Sequence, residues 1–311
     1  MPGPAMPTTA LPASRKRDSR QGFRLCGSAQ NTGPIPPRAH GFPARLGQGQ
    51  GNCWHAASMR SPSLPGNSTS DRAPTREEAC ANLLLAGLPA DAWERWQPFL
   101  EVVDLNRGDV LYDGGDPISH VVFPTTAIVS LQYLLQDGRA TEIAIIGRPG
   151  MVGVSRLRGG ENTPSRAVVQ YSGQAMRLPA DFLEQEFTTQ PAVMHMLLRY
   201  MQALITQMAQ NAVCHRHHSI EQHLCRWLLL NLDRMHSNEL PVTHENIAQL
   251  LGVRREGVTE AAGQLQRAGL IGRRRGHITV LDRPGLEARC CECYAVVRRE
   301  YDRLLPPSSA A

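Results

Sequence analysis

The sequence predicts an α+β chain: an N-terminal antiparallel β-roll, one long helix, and a C-terminal pair of short helices followed by a β-hairpin. Three observations predict it. Between Glu101 and Leu178, short alternating apolar runs are separated by Gly/Asp turns, the mark of many short antiparallel strands. After Pro191, Met194, Met201 and Met208 recur every seven residues, a helical period. From Thr243, two amphipathic patterns are joined through Gly252, and an arginine run then lies between two short apolar segments.

With 311 residues, the chain has room for about two domains. Its formal net charge of +5 permits an anionic partner. The 8 cysteines show no paired framework, which fits free thiols in a reducing compartment. No apolar run reaches the ~18 residues of a membrane helix, so no membrane partner and a cytoplasmic location are expected.

Residues 1–75 are expected to be a disordered, basic, Pro/Gly-rich extension. Asp18 and Asp71 are the acids of this stretch, and no apolar period runs through it. Such a segment buries too little apolar surface to offset its ordering entropy. It lacks the apolar core of a secretory signal and faintly resembles an organelle transit peptide; a translation start at Met59 or later is the alternative. Cys26 and Cys53 receive no role.

Residues 76–190 are expected to form the roll. Leu84, Leu85, Leu88, Trp93, Trp96, Phe99 and Leu100 fall at spacings for short helices, punctuated by Pro89 and Pro98. Val129, Leu131, Tyr133 and Leu135 are expected on one strand face. Turns are expected at Asn106–Asp109, Asp113–Asp116, Asp137–Gly138 and Gly147–Gly150. Further strands are expected at Ser165–Tyr171 and Gln174–Leu178, then a short helix at Phe182–Phe187.

Residues 191–218 read as a long dimerisation helix. Met194, Leu197, Met201, Leu204 and Met208 form a heptad-like seam, with Leu198 and Ile205 beside it. Asn211 falls on the seam, where a polar side chain can set register. The methionine stripe is read as packing, not cofactor ligation. Cys214, His215, His217, His218, His223 and Cys225 follow within a short window. Imidazole and thiolate are metal ligands, but a polar helix end is the simpler reading. Cys290, Cys291 and Cys293 are too close together to supply four zinc ligands alone and are read as free thiols.

Residues 219–305 begin with an amphipathic helix over Ile220–Met235, with Leu224, Trp227, Leu228 and Leu232 inward. Thr243 is a plausible N-cap for a helix with Ile247, Ala248, Leu250 and Leu251 on one face. Gly252 can take the positive φ that ends it. A second helix then buries Val258, Ala261, Ala262 and Leu265 and exposes Arg254, Arg255, Glu256, Thr259 and Glu260. Arg can bond guanine O6 and N7 together, and Glu can accept from cytosine N4. Leu270–Ile271 and Ile278–Val280 read as paired strands joined through Arg273, Arg274, Arg275, Gly276 and His277, a basic tip suited to phosphate. Helix, turn, helix and wing make a winged helix-turn-helix.

The order of segments resembles the Crp/Fnr regulators, the cyclic-AMP receptor protein and its relatives. The residues that carry the resemblance are RGDVLYDGGDPISHVVFPTTAIVSL, GMVGVSRLRGGENTPSRAVVQ and VTHENIAQLLGVRREGVTE. It covers about Arg76 to Leu305. It implies a cyclic-nucleotide-binding-like roll, a helix that joins two subunits, and base readers at Arg255 and Glu256. Two departures matter. Val154 follows Gly153 where nucleotide-binding members carry a ribose-binding Glu. Pro164 precedes Ser165 at the phosphate-binding Arg position, so Arg166 is displaced by one and turned to the other strand face. Gly153, Ser165 and Arg166 are the candidate effector pocket, and the departures argue against cyclic AMP. Glu260 stands where many relatives have Arg, and Arg254 where Ser is usual.

The expected function is a homodimeric, sequence-specific DNA-binding transcription regulator on a pseudo-palindromic operator, with RNA polymerase as a candidate second partner. The alternative is a ligand- or metal-binding sensor module acting through another partner. No cofactor is expected, with metal or haem sensing as the minor reading. The sequence carries no Walker loop, Gly-x-Ser-x-Gly elbow or HExxH, and Glu184 with Glu186 reads as a plain acidic pair, so no enzyme is expected.

Overall fold

The structure, a computed structural model, describes residues 69–70, 73–159, 162–235 and 237–305. Two four-stranded antiparallel sheets build the roll. One has the order β1 (Thr69–Ser70), β2 (Glu101–Leu105), β8 (Gly173–Pro179), β4 (His120–Pro124). The other has the order β3 (Val110–Tyr112), β7 (Ser165–Tyr171), β5 (Ile128–Leu134), β6 (Ala140–Ile146). Gly108, Gly115 and Gly138 take positive φ at the turns, where a side chain would be strained. Phe123, Met151, Met176 and Leu178 fill the interior together with Trp96, Leu84 and Leu85.

Those last three come from the short helices α1 (Arg76–Ala79), α2 (Leu83–Ala86) and α3 (Ala90–Trp96). Asn82 locks them to the roll. Its Oδ1 caps α2 by accepting from Leu84 and Leu85, and its Nδ2 donates to the Pro124 and Gly150 carbonyls at 2.8 and 2.9 Å. The expected disordered extension lies mostly outside the described residues, as do Cys26 and Cys53. Its end is structured, however: Thr69 and Ser70 pair with Val103 and Val102, and Thr75 caps α1 in a capping box.

Helix α4 (Ala180–Thr189) holds the acidic pair. Glu186 is not a plain surface acid. It is buried and accepts from the Trp96 indole at 2.9 Å and from Arg95 at 3.0 Å. A buried carboxylate needs such partners.

The long helix α5 (Pro191–His217) lays Val193, Met196, Leu197, Tyr200, Ala203, Leu204 and Gln207 against the chain's own interior. The Tyr200 hydroxyl donates to the Met151 carbonyl at 2.7 Å. This closeness requires glycine at Gly150, where a Cβ would lie 2.7 Å from that hydroxyl.

A second core gathers α6 (Ile220–Leu232), α7 (His244–Leu251), α8 (Arg255–Arg267), β9 (Glu239–Leu240), β10 (Ile271–Arg274), β11 (His277–Val280) and α9 (Arg283–Arg289). Ile128, Ile145 and Tyr171 of the roll belong to it as well. Strand β5 is therefore covered on both faces from Ile128 to Leu131, and its alternation is lost there. Val129 and Leu131 point inward as expected, but Tyr133 and Leu135 are 42% and 49% exposed. A register shift follows Leu131, and a shift of one residue exchanges strand faces.

Helix α10 (Glu292–Leu304) turns back and packs along α5, and its last residue Leu304 and the C-cap Leu305 enter the roll core. Among the described residues, no helix is long and apolar enough to cross a membrane.

Candidate nucleic-acid interface

Helix α7 starts at Thr243, whose side chain accepts from the Asn246 N–H at 3.2 Å. Its apolar face buries Ile247, Ala248 and Leu251. Gly252 ends it at φ 62° and ψ 31°, the left-handed conformation that glycine adopts at no steric cost. Three residues later, at Arg255, α8 begins. Val258, Ala261, Ala262 and Leu265 fasten it to the second core. Gly257 brings α6 close: a Cβ there would lie 2.6 Å from Ile220.

The opposite face of α8 is open. Arg254, Arg255, Glu256, Thr259 and Glu260 are all exposed, as is Thr243 at the start of α7. Arg254 occupies the N-cap position and makes no side-chain cap, since a guanidinium offers no acceptor to the free helix N–H groups. Arg255 lies 3.6 Å from Glu245 with both side chains about two-thirds exposed. Such a pair contributes little and is easily exchanged for another anion. Thr259 is held more firmly, 3.1 Å from Nδ1 of His244. Burial and the charges of Arg273 and Arg255 lower the His244 pKa, so that ring is neutral and can share a hydrogen bond with the hydroxyl.

Strands β10 and β11 pair in register from Ile271↔Val280 to Arg274↔His277, closed by Arg275 and Gly276, the latter at φ 76°. Arg273, Arg274, Arg275 and His277 are exposed. Arg273 donates to Gln266 near the end of α8, tying wing to helix, and His277 lies 3.3 Å from Glu239. The structure thus brings the ten residues expected at this surface onto one winged helix pair. It adds Gln266 and His244 as supports, which no local pattern marked.

The expected effector residues are not gathered in the same way. Gly153 is buried at φ 96°, against Val121 and Ile118. Ser165 points inward, with its hydroxyl 3.0 Å from Thr163. Arg166, one residue on, leaves on the other face, 3.5 Å from Asp113. It lines a cavity of about 350 Å³ between the roll and α7, with Arg107, Gln170, Pro241 and Gln249. Arg107 crosses this joint and donates to the Pro241 carbonyl at 2.7 Å and to Asn246 at 3.2 Å.

Part of the expected seam is also redistributed. Leu197 and Leu204 are 0% and 2% exposed within the single chain, so a partner cannot reach them. Met194, Met201 and Met208 are half-buried, and Leu198 and Ile205 are exposed. Asn211 is committed elsewhere: it donates to the Glu142 carbonyl at 2.9 Å and accepts from Arg226.

The histidine and cysteine window splits in two. The rings of His215 and His223 pack in a tilted contact, centroids 4.8 Å apart at an interplanar angle of 59°. Burial lowers the His215 pKa to about 4, so both rings are read as neutral packing. Cys225 is buried, its thiol pushed up to about 12 by desolvation. His217 is exposed. Cys214 and His218, by contrast, meet Cys291 and Cys293 from the start of α10.

Residues 222–289 match the Crp-like helix-turn-helix domain family. The chain is 24% identical over 193 residues to the global nitrogen regulator of Synechococcus elongatus, covering 59% of this chain and 86% of that protein. It is 26% identical over 180 residues to the CRP-like cAMP-activated global transcriptional regulator of Mycobacterium tuberculosis, covering 55% and 80%. Its fold is similar to a CRP-family transcriptional regulator from Thermus thermophilus, with a TM-score of 0.52, 20% identity and coverage of 60% and 95%. It is also similar to FixK2 from Bradyrhizobium japonicum, with a TM-score of 0.52, 18% identity and coverage of 61% and 96%.

Proposed function

We propose, from the premise that this chain is a Crp-like transcriptional regulator with a helix-turn-helix DNA-binding domain, that two copies bind one pseudo-palindromic operator. The observation that carries this is the open face of α8. Arg255, Glu256, Thr259 and Glu260 are exposed along it, Arg255 in a weak ion pair with Glu245 and Thr259 oriented by His244. The first turn of α8 would enter the major groove, with Arg255 on guanine and Glu256 on cytosine N4. Glu260 sets a preference different from that of relatives with Arg there. Arg254, Thr243 and the wing residues Arg273, Arg274, Arg275 and His277 would hold phosphates and fix register.

The exposed stripe Leu198–Ile205, flanked by Met194, Met201 and Met208, supports pairing of two α5 helices. Leu198 and Ile205 are large apolar side chains left 44% and 62% exposed, and a second copy would cover them. Two recognition helices would then meet successive major grooves ~34 Å apart. The roll would act as the sensor, shifting the relative pose of the two α8 helices. Val154 in place of the ribose-binding Glu and the outward Arg166 support an effector other than cyclic AMP. RNA polymerase is the candidate second partner, and a cytoplasmic location accords with that role.

Selection of bound genomic fragments, followed by footprinting on the recovered site, tests the reading. The expected result is a protected two-fold site, with affinity falling steeply as salt rises. Protection without sequence preference would overturn it.

A further inference from the structure

We propose that Cys214, His218, Cys291 and Cys293 form a tetrahedral Zn²⁺ site that pins the end of α5 to the start of α10. One donor atom from each residue converges so that all four lie within 4.8 Å of one another. Two of the edges match the ion. The Cys214 and Cys291 sulfurs are 3.6 Å apart, and the Cys293 sulfur is 3.6 Å from His218 Nδ1. Zn–S of about 2.3 Å and Zn–N of about 2.0–2.1 Å at tetrahedral angles give S···S and S···N edges of about 3.7 and about 3.5 Å. Four donors this close surround a single ion and leave no room for an iron–sulfur cluster. Three thiolates and an imidazole favour Zn²⁺ over hard cations.

The surroundings point the same way. The other ring nitrogen of His218, Nε2, lies 3.4 Å from the Glu292 carboxylate. This carboxylate–histidine arrangement orients a metal-bound imidazole and leaves Nδ1 free for the ion. Cys291 is the N-cap of α10 and makes no cap hydrogen bond, so its sulfur sits at the positive end of the helix dipole. Three thiolates around Zn²⁺ leave one net negative charge. Arg226 is buried nearby, and its charge acts on Cys214 and Cys293. Binding forms three S–Zn bonds and one N–Zn bond, and releases the three thiol protons to water.

The site spans the joint between the long helix and the DNA-binding domain. Cys214 and His218 belong to the last turn and cap of α5, immediately before α6, while Cys291 and Cys293 open the helix that packs back along α5. The ion would fix the angle at which the domain leaves α5. The site does not depend on how the domain reads DNA, so its failure and the failure of the operator reading are separable.

The test is anaerobic titration of the chelator-stripped, fully reduced full-length protein with Co²⁺, read by absorbance, together with the zinc content of protein purified under reductant. The expected result is about one equivalent per chain, with thiolate-to-cobalt charge-transfer bands and intense tetrahedral d–d bands. Cys291→Ser and His218→Ala are expected to weaken binding by more than about 100-fold, and Glu292→Gln by about 10–100-fold. Cys225→Ser, outside the set, is expected to bind as the wild type does. Stripping the metal is expected to lower the thermal midpoint of the wild type and leave that of Cys291→Ser unchanged. Should a variant fail to fold, the wild-type titration still decides. Absence of the charge-transfer bands in the wild type overturns the site. So does equal loss in Cys225→Ser and Cys291→Ser, or a Cys214–Cys291 disulfide as the resting state with no zinc retained under reductant.

Discussion

The indole N–H of Trp227 donates to the Glu142 carboxyl at 3.0 Å, linking α6 of the DNA-binding domain to β6 of the roll. The second oxygen of Glu142 accepts from Ser130 at 2.5 Å, and its backbone carbonyl accepts from Asn211. An acidic side chain thus sits fully buried where the two cores meet.

Burial raises the Glu142 pKa to about 7, against the pull of the Ser130 and Trp227 hydrogen bonds and the charges of Arg226 and Arg234. Between the ordinary Glu range and that value, the folded chain holds a proton that the unfolded chain has released. Stability from this group is therefore full at acidic pH and is lost as pH rises through about 7. Glu142→Gln keeps an acceptor for Trp227, turns the other position into an NH2 that donates to Ser130, and removes the titration. It is expected to flatten the pH dependence between about pH 5 and about pH 8 and to gain on the order of 3 kcal/mol at the upper end. Urea unfolding at both pH values checks this; parallel profiles for the two proteins would refute it.

At the DNA surface, Arg255→Ala is expected to cost about 1–3 kcal/mol on the preferred site and to relax sequence preference. Arg275→Ala at the wing tip is expected to weaken all sequences alike and reduce the salt slope by about one unit. Binding isotherms on matched and mismatched duplexes over a salt series separate the two. Uniform loss for Arg255→Ala would make it a phosphate contact.

Along α5, Ile205→Asp is expected to produce a monomer whose own stability changes by no more than about 0.5 kcal/mol, since Ile205 is 62% exposed. Leu197→Asp places a charge in the roll core and is expected to unfold the chain. Light scattering coupled to gel filtration, with circular dichroism, distinguishes these outcomes. A dimer that survives Ile205→Asp counts against pairing through this stripe.

At the turn, Gly252→Val is expected to cost about 1–3 kcal/mol, because a β-branched residue must adopt a left-handed backbone. The turn also faces Thr141 of β6, whose hydroxyl would lie 3.4 Å from an added Cβ. A loss of less than about 0.3 kcal/mol in urea unfolding would mean that the turn relaxes away from its αL geometry.

Much of the fold was legible because its signals are local. Ser165–Tyr171 formed the expected strand with the same bounds, and Gly252 closed the expected turn. The open face of α8 followed directly from the spacing of Val258, Ala261, Ala262 and Leu265. Glu142 was missed, although a lone acid in the apolar run ATEIAII was a signal that something had to satisfy it.

By itself, then, the sequence determined the order of elements, the winged helix pair and the side chains exposed on the open face of α8. Helical and strand periods arise from neighbours a few residues apart, so composition along a window carries them. Only the tertiary structure decided which side of the α5 stripe is free, since Leu197 and Leu204 differ from Leu198 and Ile205 solely in what packs on them. It alone brought Cys214 and His218 to Cys291 and Cys293, more than seventy residues further along the chain. The return of α10 along α5 causes that meeting, and no spacing rule within either segment contains it.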